Sequence, residues 1–373
     1  MTDTASKLGP LIVFNRIDAE DPNSLKLLHR LENYAEEYVK LSPRSGDSLT
    51  VQGVHNFSSA MGDSTFPCLS VLQTSSFFFK EFRKTVSYYQ EKGGYPSLII
   101  AGDPWVGFLK CYFLKKFYFK KSEIQIQFHG DIYSVPKLWR LKESIKYFII
   151  RLSLKSADSI RVVSNFQVED LKSRADANTT FVCAPIPLDF DKIPTEVNSQ
   201  RSGMGLVGRL HKERGLHYFV SILEEMKNRE IQTQIYIVGD GPEKEYLIRE
   251  LEKINLLECV ILRGELSNSE LKIFYKSLKV LLNCAPREGY GLTIREAALS
   301  GIQVVARNSK GVISAKQDFD SEIHLYDSVA QAVDLIDKVL SNRVQTFVDP
   351  NKFHLQEARN RDSTRKWAQS WVV

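Results

Sequence analysis

Short apolar runs alternate with longer amphipathic segments along most of the chain, and this alternation limits the fold more than any other feature. In the first half the runs are Leu11 to Phe14, Ser97 to Ala101, Ile124 to Phe128 and Ser159 to Val163. In the second half they are Met204 to Val207, Ile235 to Val238, Val260 to Leu262, Val280 to Asn283 and Gln303 to Ala306. Runs of this length, bounded by Gly, Asp or Pro, suit parallel strands covered on both faces. Helices are predicted between them over 25–40, 77–90, 137–155, 216–227, 243–253 and 269–276. Strands alternating with helices predict an α/β protein with parallel sheets.

The stretch 184–203, APIPLDFDKIPTEVNSQRSG, contains Pro185, Pro187 and Pro194 and then a polar run, and reads as a linker. The 373 residues suffice for two domains. Each side of the linker has its own strand–helix series, so two Rossmann-like domains are expected, over 1–190 and 200–354. Ligands of such sheets bind outside the carboxyl ends of the strands, here pointing to a cleft between the domains.

Composition removes several classes. Apolar residues make up 43%, charged residues 25% and aromatics 11%, which is ordinary for a folded protein and unlike a disordered one. A net charge of +5 is compatible with anionic ligands or an anionic membrane surface and too small to imply nucleic acid. The five cysteines lie far apart, so there is no C-x-x-C pair, and reduced thiols in a cytoplasmic setting are expected. The opening MTDTASKLGP has no export-signal pattern, and no apolar run approaches the roughly 18 residues of a spanning helix.

The segment Arg287-Glu288-Gly289-Tyr290-Gly291-Leu292-Thr293-Ile294-Arg295-Glu296 carries the strongest chemical signal. It follows one apolar strand and precedes another. Two glycines open a turn, and a helix is predicted to begin near Leu292. The free amides at such a start, with the helix dipole, suit a phosphate anion. Glu288 before the turn and Glu296 about one turn into the helix are placed to reach the same strand-end crevice. Carboxylates accept paired hydrogen bonds from neighbouring hydroxyls, as a sugar or a ribose offers. After the strand 204–207, Gly208-Arg209-Leu210-His211-Lys212-Glu213-Arg214-Gly215 sets cations near a helix start, where the dipole disfavours them unless an anion binds. Gly203, Gly205 and Gly208 also satisfy G-x-G-x-x-G, but they fall within the strand instead of in a turn opening a helix, so no dinucleotide site is read there. Val238-Gly239-Asp240-Gly241-Pro242 and Leu262-Arg263-Gly264 end two further strands, and Gln127-Phe128-His129-Gly130-Asp131 ends one in the first half. Asp103-Pro104 reads most simply as a helix cap.

Glu288 and Glu296, separated by seven residues around a Gly-aromatic-Gly turn, resemble the signature of the family 4 glycosyltransferases of the GT-B fold. The resemblance implies two Rossmann-like domains facing an interdomain cleft. It implies that Glu288 contacts the donor sugar hydroxyls, that Glu296 binds the nucleotide ribose, and that amides of Gly289, Tyr290, Gly291, Leu292 and Thr293 hold the diphosphate. The 208–215 segment resembles the family's G-R-L…E-K-G. Arg209 matches the arginine, and Arg214 stands where lysine is usual, so a planar fork replaces a point cation. Gly208 and Gly239 match glycine turns beside the nucleotide, Arg263 borders the nucleobase position, and His129 matches a histidine near the reacting sugar. Asp131 and Asn15, the latter opening the loop 15–22, occupy positions associated with the acceptor.

The implied activity is a retaining hexosyl transfer from a UDP- or GDP-sugar to a glycan or lipid-linked acceptor in cell-surface polysaccharide or glycolipid assembly. Cofactors and catalytic metal are not expected: Asp189-Phe190-Asp191 lies in the linker and Asp318-Phe319-Asp320 in a loop after the last predicted strand. Residues 105–121, WVGFLKCYFLKKFYFKK, interleave lysines with aromatics and suit either sheet packing or a membrane interface. Trp367 and Trp371, on a predicted helix over 355–371, share one face and are expected to be buried against the first domain. A non-catalytic partner subunit and a sugar-nucleotide epimerase are the alternatives.

Overall fold

The computed structural model describes residues 6–13, 85–87, 89–130, 141–196, 200–341 and 348–372. Asn15, Asp131, the helix expected over 25–40 and most of that over 77–90 lie outside the described residues. The chain divides into two compact units, Met1–Pro185 with Arg361–Val373, and Ile186–Asn360.

In the first unit a five-stranded parallel sheet has the order β2 (Leu11–Val13), β4 (Leu98–Ala101), β5 (Glu123–Phe128), β6 (Ser159–Val162), β7 (Thr180–Cys183). Two short strands, β1 (Ser6–Leu8) and β3 (Gly94–Pro96), pair separately. Helix α1 (Val106–Phe117) follows β4, α2 (Leu141–Ser156) precedes β6 and α3 (Asn165–Lys172) follows it. Asp103 caps α1, its carboxylate accepting from the amides of Trp105 at 3.0 Å and Gly107 at 3.1 Å. Burial raises its pKa, opposed by these amides.

The strand β5 shows how one sequence serves two faces. Ile124, Ile126 and Phe128 pack into an apolar core with Phe108, Cys111 and Leu114 of α1. Gln125 and Gln127, the alternate residues, are equally buried on the opposite face. Trp367 Nε1 donates to Gln125 Oε1 at 3.3 Å, and Gln125 Nε2 donates to Ser370 Oγ at 3.1 Å. Arg161 stacks 4.1 Å from the Trp367 ring centroid and donates to Gln127 Oε1. Trp367 and Trp371 are both buried, with ring centroids 5.0 Å apart. The two tryptophans therefore cover a buried polar strip, and Trp367 supplies one of its hydrogen bonds.

The second unit contains a six-stranded parallel sheet ordered β10 (Val260–Gly264), β9 (Ile235–Val238), β8 (Ser202–Val207), β11 (Leu278–Asn283), β12 (Gln303–Arg307), β13 (Ile323–Tyr326). Counted from β8 this is 3-2-1-4-5-6, the doubly wound order, with its switch point between β8 and β11. Helices α4 (Leu216–Asn228), α5 (Lys244–Lys253) and α9 (Val329–Leu340) contribute to one core cluster. Helices α6 (Asn268–Ser277), α7 (Leu292–Leu299) and α8 (Lys310–Lys316) contribute to another. On β11, Val280 and Leu282 enter the first cluster and Leu281 the second.

Three expectations need correction. The stretch 184–203 is more than a linker: Leu188 and Ile193 bury in the second core around a 3-10 turn, Phe190–Lys192, so the second unit begins at Ile186. The terminal helix α10 runs Pro350–Gln369, and its first part belongs to the second unit. There Phe353 packs 4.8 Å from Phe190, Lys352 pairs with Glu322, and Asn360 Nδ2 donates to the Leu188 carbonyl at 2.9 Å. Finally, Asp318-Phe319-Asp320 precedes a strand, β13, and Asp318 is paired with Arg295 and Arg359.

Candidate functional site

The switch point of the second sheet places the carboxyl end of β8 beside that of β11. Gly208 and Arg209 follow β8, and Arg209 is exposed. The chain then forms a 3-10 turn, Lys212–Arg214, before α4. From β11 it runs through Cys284 to Gly291 and enters α7 at Leu292, the predicted start. Gly291 has φ +74°, a left-handed backbone that a side chain would strain, so glycine turns the chain here.

These two loops meet at an ion pair. Arg214 Nη1 lies 3.0 Å from Glu288 Oε2, with the glutamate mostly buried and the arginine about one-third exposed. Glu288 Oε1 accepts from the Gly289 amide at 3.2 Å, and the Glu288 amide donates to Ser309 Oγ at 3.4 Å. Asn283 Nδ2 stands 3.5 Å from Glu288 Oε2. A mostly buried carboxylate gains from such partners, since each removes part of its desolvation cost. Arg214 thus holds Glu288 in this structure.

Glu296 is buried on α7 and pairs with Lys192 Nζ at 3.3 Å. Each of the two signature glutamates therefore has its own cation. Tyr290, between the glycines, is buried with Arg295 4.3 Å over its ring, and Arg295 Nε donates to the Tyr290 carbonyl at 3.2 Å. Its side chain braces the turn. Leu292 packs against the second core, and Gly289 is buried.

Backbone packing fixes the loops. A Cβ on Gly239 would stand 2.1 Å from the Gly208 carbonyl oxygen, so the β9 turn lies directly on the β8 turn. A Cβ on Gly311 would stand 2.0 Å from the Glu288 carbonyl oxygen, so α8 lies directly on the Glu288 loop. Arg263 is exposed on the edge strand β10, 5.7 Å from the Tyr236 ring centroid. His129 is exposed at the end of β5 in the first unit.

Structure adds Asn283, Ser309, Gly311 and Lys192 to the residues read from sequence. Only Gly311, shortly after a strand end, had a local signal. Ser309 and Lys192 matter through contacts 21 and 104 positions away, whereas Asn283 reaches Glu288 five positions on. Among the described residues, no group of three or more His, Cys, Asp or Glu is placed to hold a metal ion.

Solved structures share this architecture. Sucrose-phosphate synthase from Thermosynechococcus elongatus matches 98% of this chain and 95% of its own at 15% identity, with a TM-score of 0.65. Anabaena HepE, solved in complex with UDP and glucose, matches 97% of this chain and 99% of its own at 14% identity, also with a TM-score of 0.65. Likeness at such identity shows the fold, which is GT-B with Rossmann-like α/β domains. Among curated proteins, the uncharacterized glycosyltransferase YqgM of Bacillus subtilis is 25% identical over 52% of this chain and 54% of its own length. Alpha-monoglucosyldiacylglycerol synthase of Streptococcus pneumoniae is 21% identical over 49% of this chain and 45% of its own. The chain spans about half the length of these curated relatives. Residues 189–357, which contain the switch point, both glutamates and both of their cations, match the family described as Glycosyl transferases group 1.

Proposed function

We propose that the chain is a glycosyltransferase that moves a hexosyl unit from a nucleotide sugar to a glycan or lipid-linked acceptor with retention of anomeric configuration. The observation that carries this is the Arg214–Glu288 pair at the switch point, joined to a glycine turn and a helix start. A carboxylate there suits sugar hydroxyls, and amides at the start of α7 suit phosphate oxygens. Arg209 and Arg214 would stabilise charge growing on the departing diphosphate, an effect worth roughly 3–4 kcal/mol for one good donor. Glu288 would position the donor sugar and Glu296 the ribose. His129, Asp131 and Asn15 would serve the reacting sugar and the acceptor. A donor phosphate oxygen would take the acceptor's proton, and with the two arginines and the α7 amides neutralising the diphosphate no catalytic metal would be needed.

Relatives bear on substrate class. Solved neighbours contain UDP, which makes a uridine donor the first to try, with GDP-sugars next. The lipid-glycosylating relative from Streptococcus pneumoniae supports glycolipid assembly as one setting.

A peripheral contact with an anionic membrane through 105–121 belongs to the same proposal. Phe113 and Phe117 are exposed and stacked, with centroids 5.9 Å apart, and Lys116 lies 5.9 Å from the Phe117 ring. The opposite side of α1 buries Phe108, Cys111 and Leu114. No helix among the described residues is long and apolar enough to cross a membrane. Sedimentation with anionic and neutral vesicles tests the contact, and equal recovery with both refutes it.

The central test is nucleotide release from UDP-, GDP- and ADP-sugars, comparing wild type with Glu288→Ala. Release from one donor, lost in the variant, is expected. A donor sugar converted to its epimer with no nucleotide released would favour the epimerase. A donor bound but unchanged, with or without acceptor, would favour the partner-subunit reading.

A further inference from the structure

The buried charge on α7 has a partner from a segment that reads as a linker. Glu296 is buried, and a carboxylate removed from water is costly unless it is paired. Lys192 supplies the pairing at 3.3 Å, from the 3-10 turn Phe190–Lys192.

That turn is anchored more firmly than a linker needs. Leu188 and Ile193 flank it and are buried in the core that also holds Ala297, Ala298 and Leu299 of α7. The Asp189 side chain accepts from the Asp191 amide at 3.2 Å and from Asn268 Nδ2 at 2.9 Å. It also lies 3.6 Å from Lys192 Nζ. The D-x-D sequence at 189–191 is therefore a bracket for the lysine. From α6, the wholly buried Tyr275 is near enough that its hydroxyl pKa is raised, first by burial and then by the Glu296 charge.

We infer that Lys192 is a positioning residue that holds the Glu296 carboxylate in the orientation that selects a nucleotide with free ribose hydroxyls. This rests on the transferase reading above, in which Glu296 faces the ribose. A carboxylate offers about four lone-pair sites, so the lysine contact constrains its tilt and still leaves it able to accept from hydroxyls. Without Lys192, the carboxylate would lose this constraint on its orientation, and paired acceptance from two hydroxyls would be weakened.

The test measures binding of UDP, GDP and ADP, and of their 2′,3′-dideoxy counterparts, to the full chain by calorimetry. Wild type is expected to prefer the ribonucleotide by about tenfold or more, as for hydrogen bonds to a charged group. In Lys192→Met the preference should fall to about unity while dideoxynucleotide affinity stays within about twofold. Lys192→Arg should restore it. Lys192→Gln keeps a donor, removes the charge and should lose most of the preference, which supplies a second variant should the methionine form not fold. Wild-type preference in either folded neutral variant overturns the assignment alone. So does equal loss of both nucleotide classes, since that marks a merely structural lysine. Failure of wild type to bind any of the nucleotides overturns the transferase reading, and this assignment with it.

Discussion

Gly311→Ala would test how the Glu288 loop is held. The new Cβ would stand 2.0 Å from the Glu288 carbonyl oxygen, 2.7 Å from its carbon and 2.9 Å from the Gly289 oxygen. All three are backbone atoms, so no side chain can swing aside. Ordinary contact begins near 3.4 Å, so α8 or the loop must move by about 1.4 Å. Overpacking of this kind costs about 1–3 kcal/mol. At roughly 2–4 °C per kcal/mol for a domain of this size, Tm should fall by about 2–12 °C. The movement falls on the residues proposed to hold the donor sugar, where a displacement of about 1 Å can lower the rate by about 100-fold. The assay is nucleotide release at saturating and limiting donor, alongside thermal unfolding of the same preparation. The expected result is a cooperative transition at lower temperature with kcat/KM reduced by about 100-fold. A wild-type Tm would refute the packing argument. A lowered Tm with unchanged release would refute the placement of this loop at the reacting centre.

Other outcomes follow from the same geometry. Arg214→Ala should lower kcat/KM by about 100-fold or more, and Arg214→Lys should recover most of it, as steady-state release would show. Full activity in the alanine variant would exclude a charge-stabilising role. Burial pushes the Cys284 thiol up to about 12 and the Cys111 thiol well above its ordinary value, while Cys259 is exposed. At pH 8 Cys259 should therefore label first among the described cysteines, with Cys284 and Cys111 reacting only on unfolding, as mass spectrometry of labelled peptides would reveal. Trp371→Ala should cost about 3–5 kcal/mol, read from the denaturant midpoint, because the ring is completely buried. Chelation with EDTA should leave nucleotide release unchanged; loss restored by a divalent ion would refute the metal-free proposal.

The second-unit strands were legible in the sequence for a physical reason. With helices on both faces, a buried parallel strand shows as a continuous apolar run, and Ile235–Val238 matches its reading to the residue. β13 was missed because its sequence, IHLY, carries a histidine and its middle residues are only partly buried. β7 escaped for a similar reason, as TFVC sits at a sheet edge and is not fully covered. The Glu288 turn and the start of α7 were legible because Gly291 there meets a local backbone requirement. The cations that hold the two glutamates were another matter. Arg214 has a local signal in its place after a strand, but nothing local shows its pairing with Glu288 across 74 positions. Lys192 meets Glu296 across 104 positions, and nothing local to either residue announces the other. Proline density made 184–203 read as a linker, yet two apolar residues within it, Leu188 and Ile193, were enough to fold its first part onto the second core.

The return of residues 361–373 to the first unit has a consequence for synthesis on the ribosome. The strip formed by Gln125, Gln127 and Arg161 is covered by Trp367 and its neighbours. Residues 186–360 must be translated before that cover exists. At about 5–20 residues per second, the emerging first unit waits roughly 10–35 s with this face open. During that interval this face of the sheet presents buried-type polar groups to the cell. The nascent chain therefore offers a transient surface that a chaperone could protect and that the finished protein no longer has.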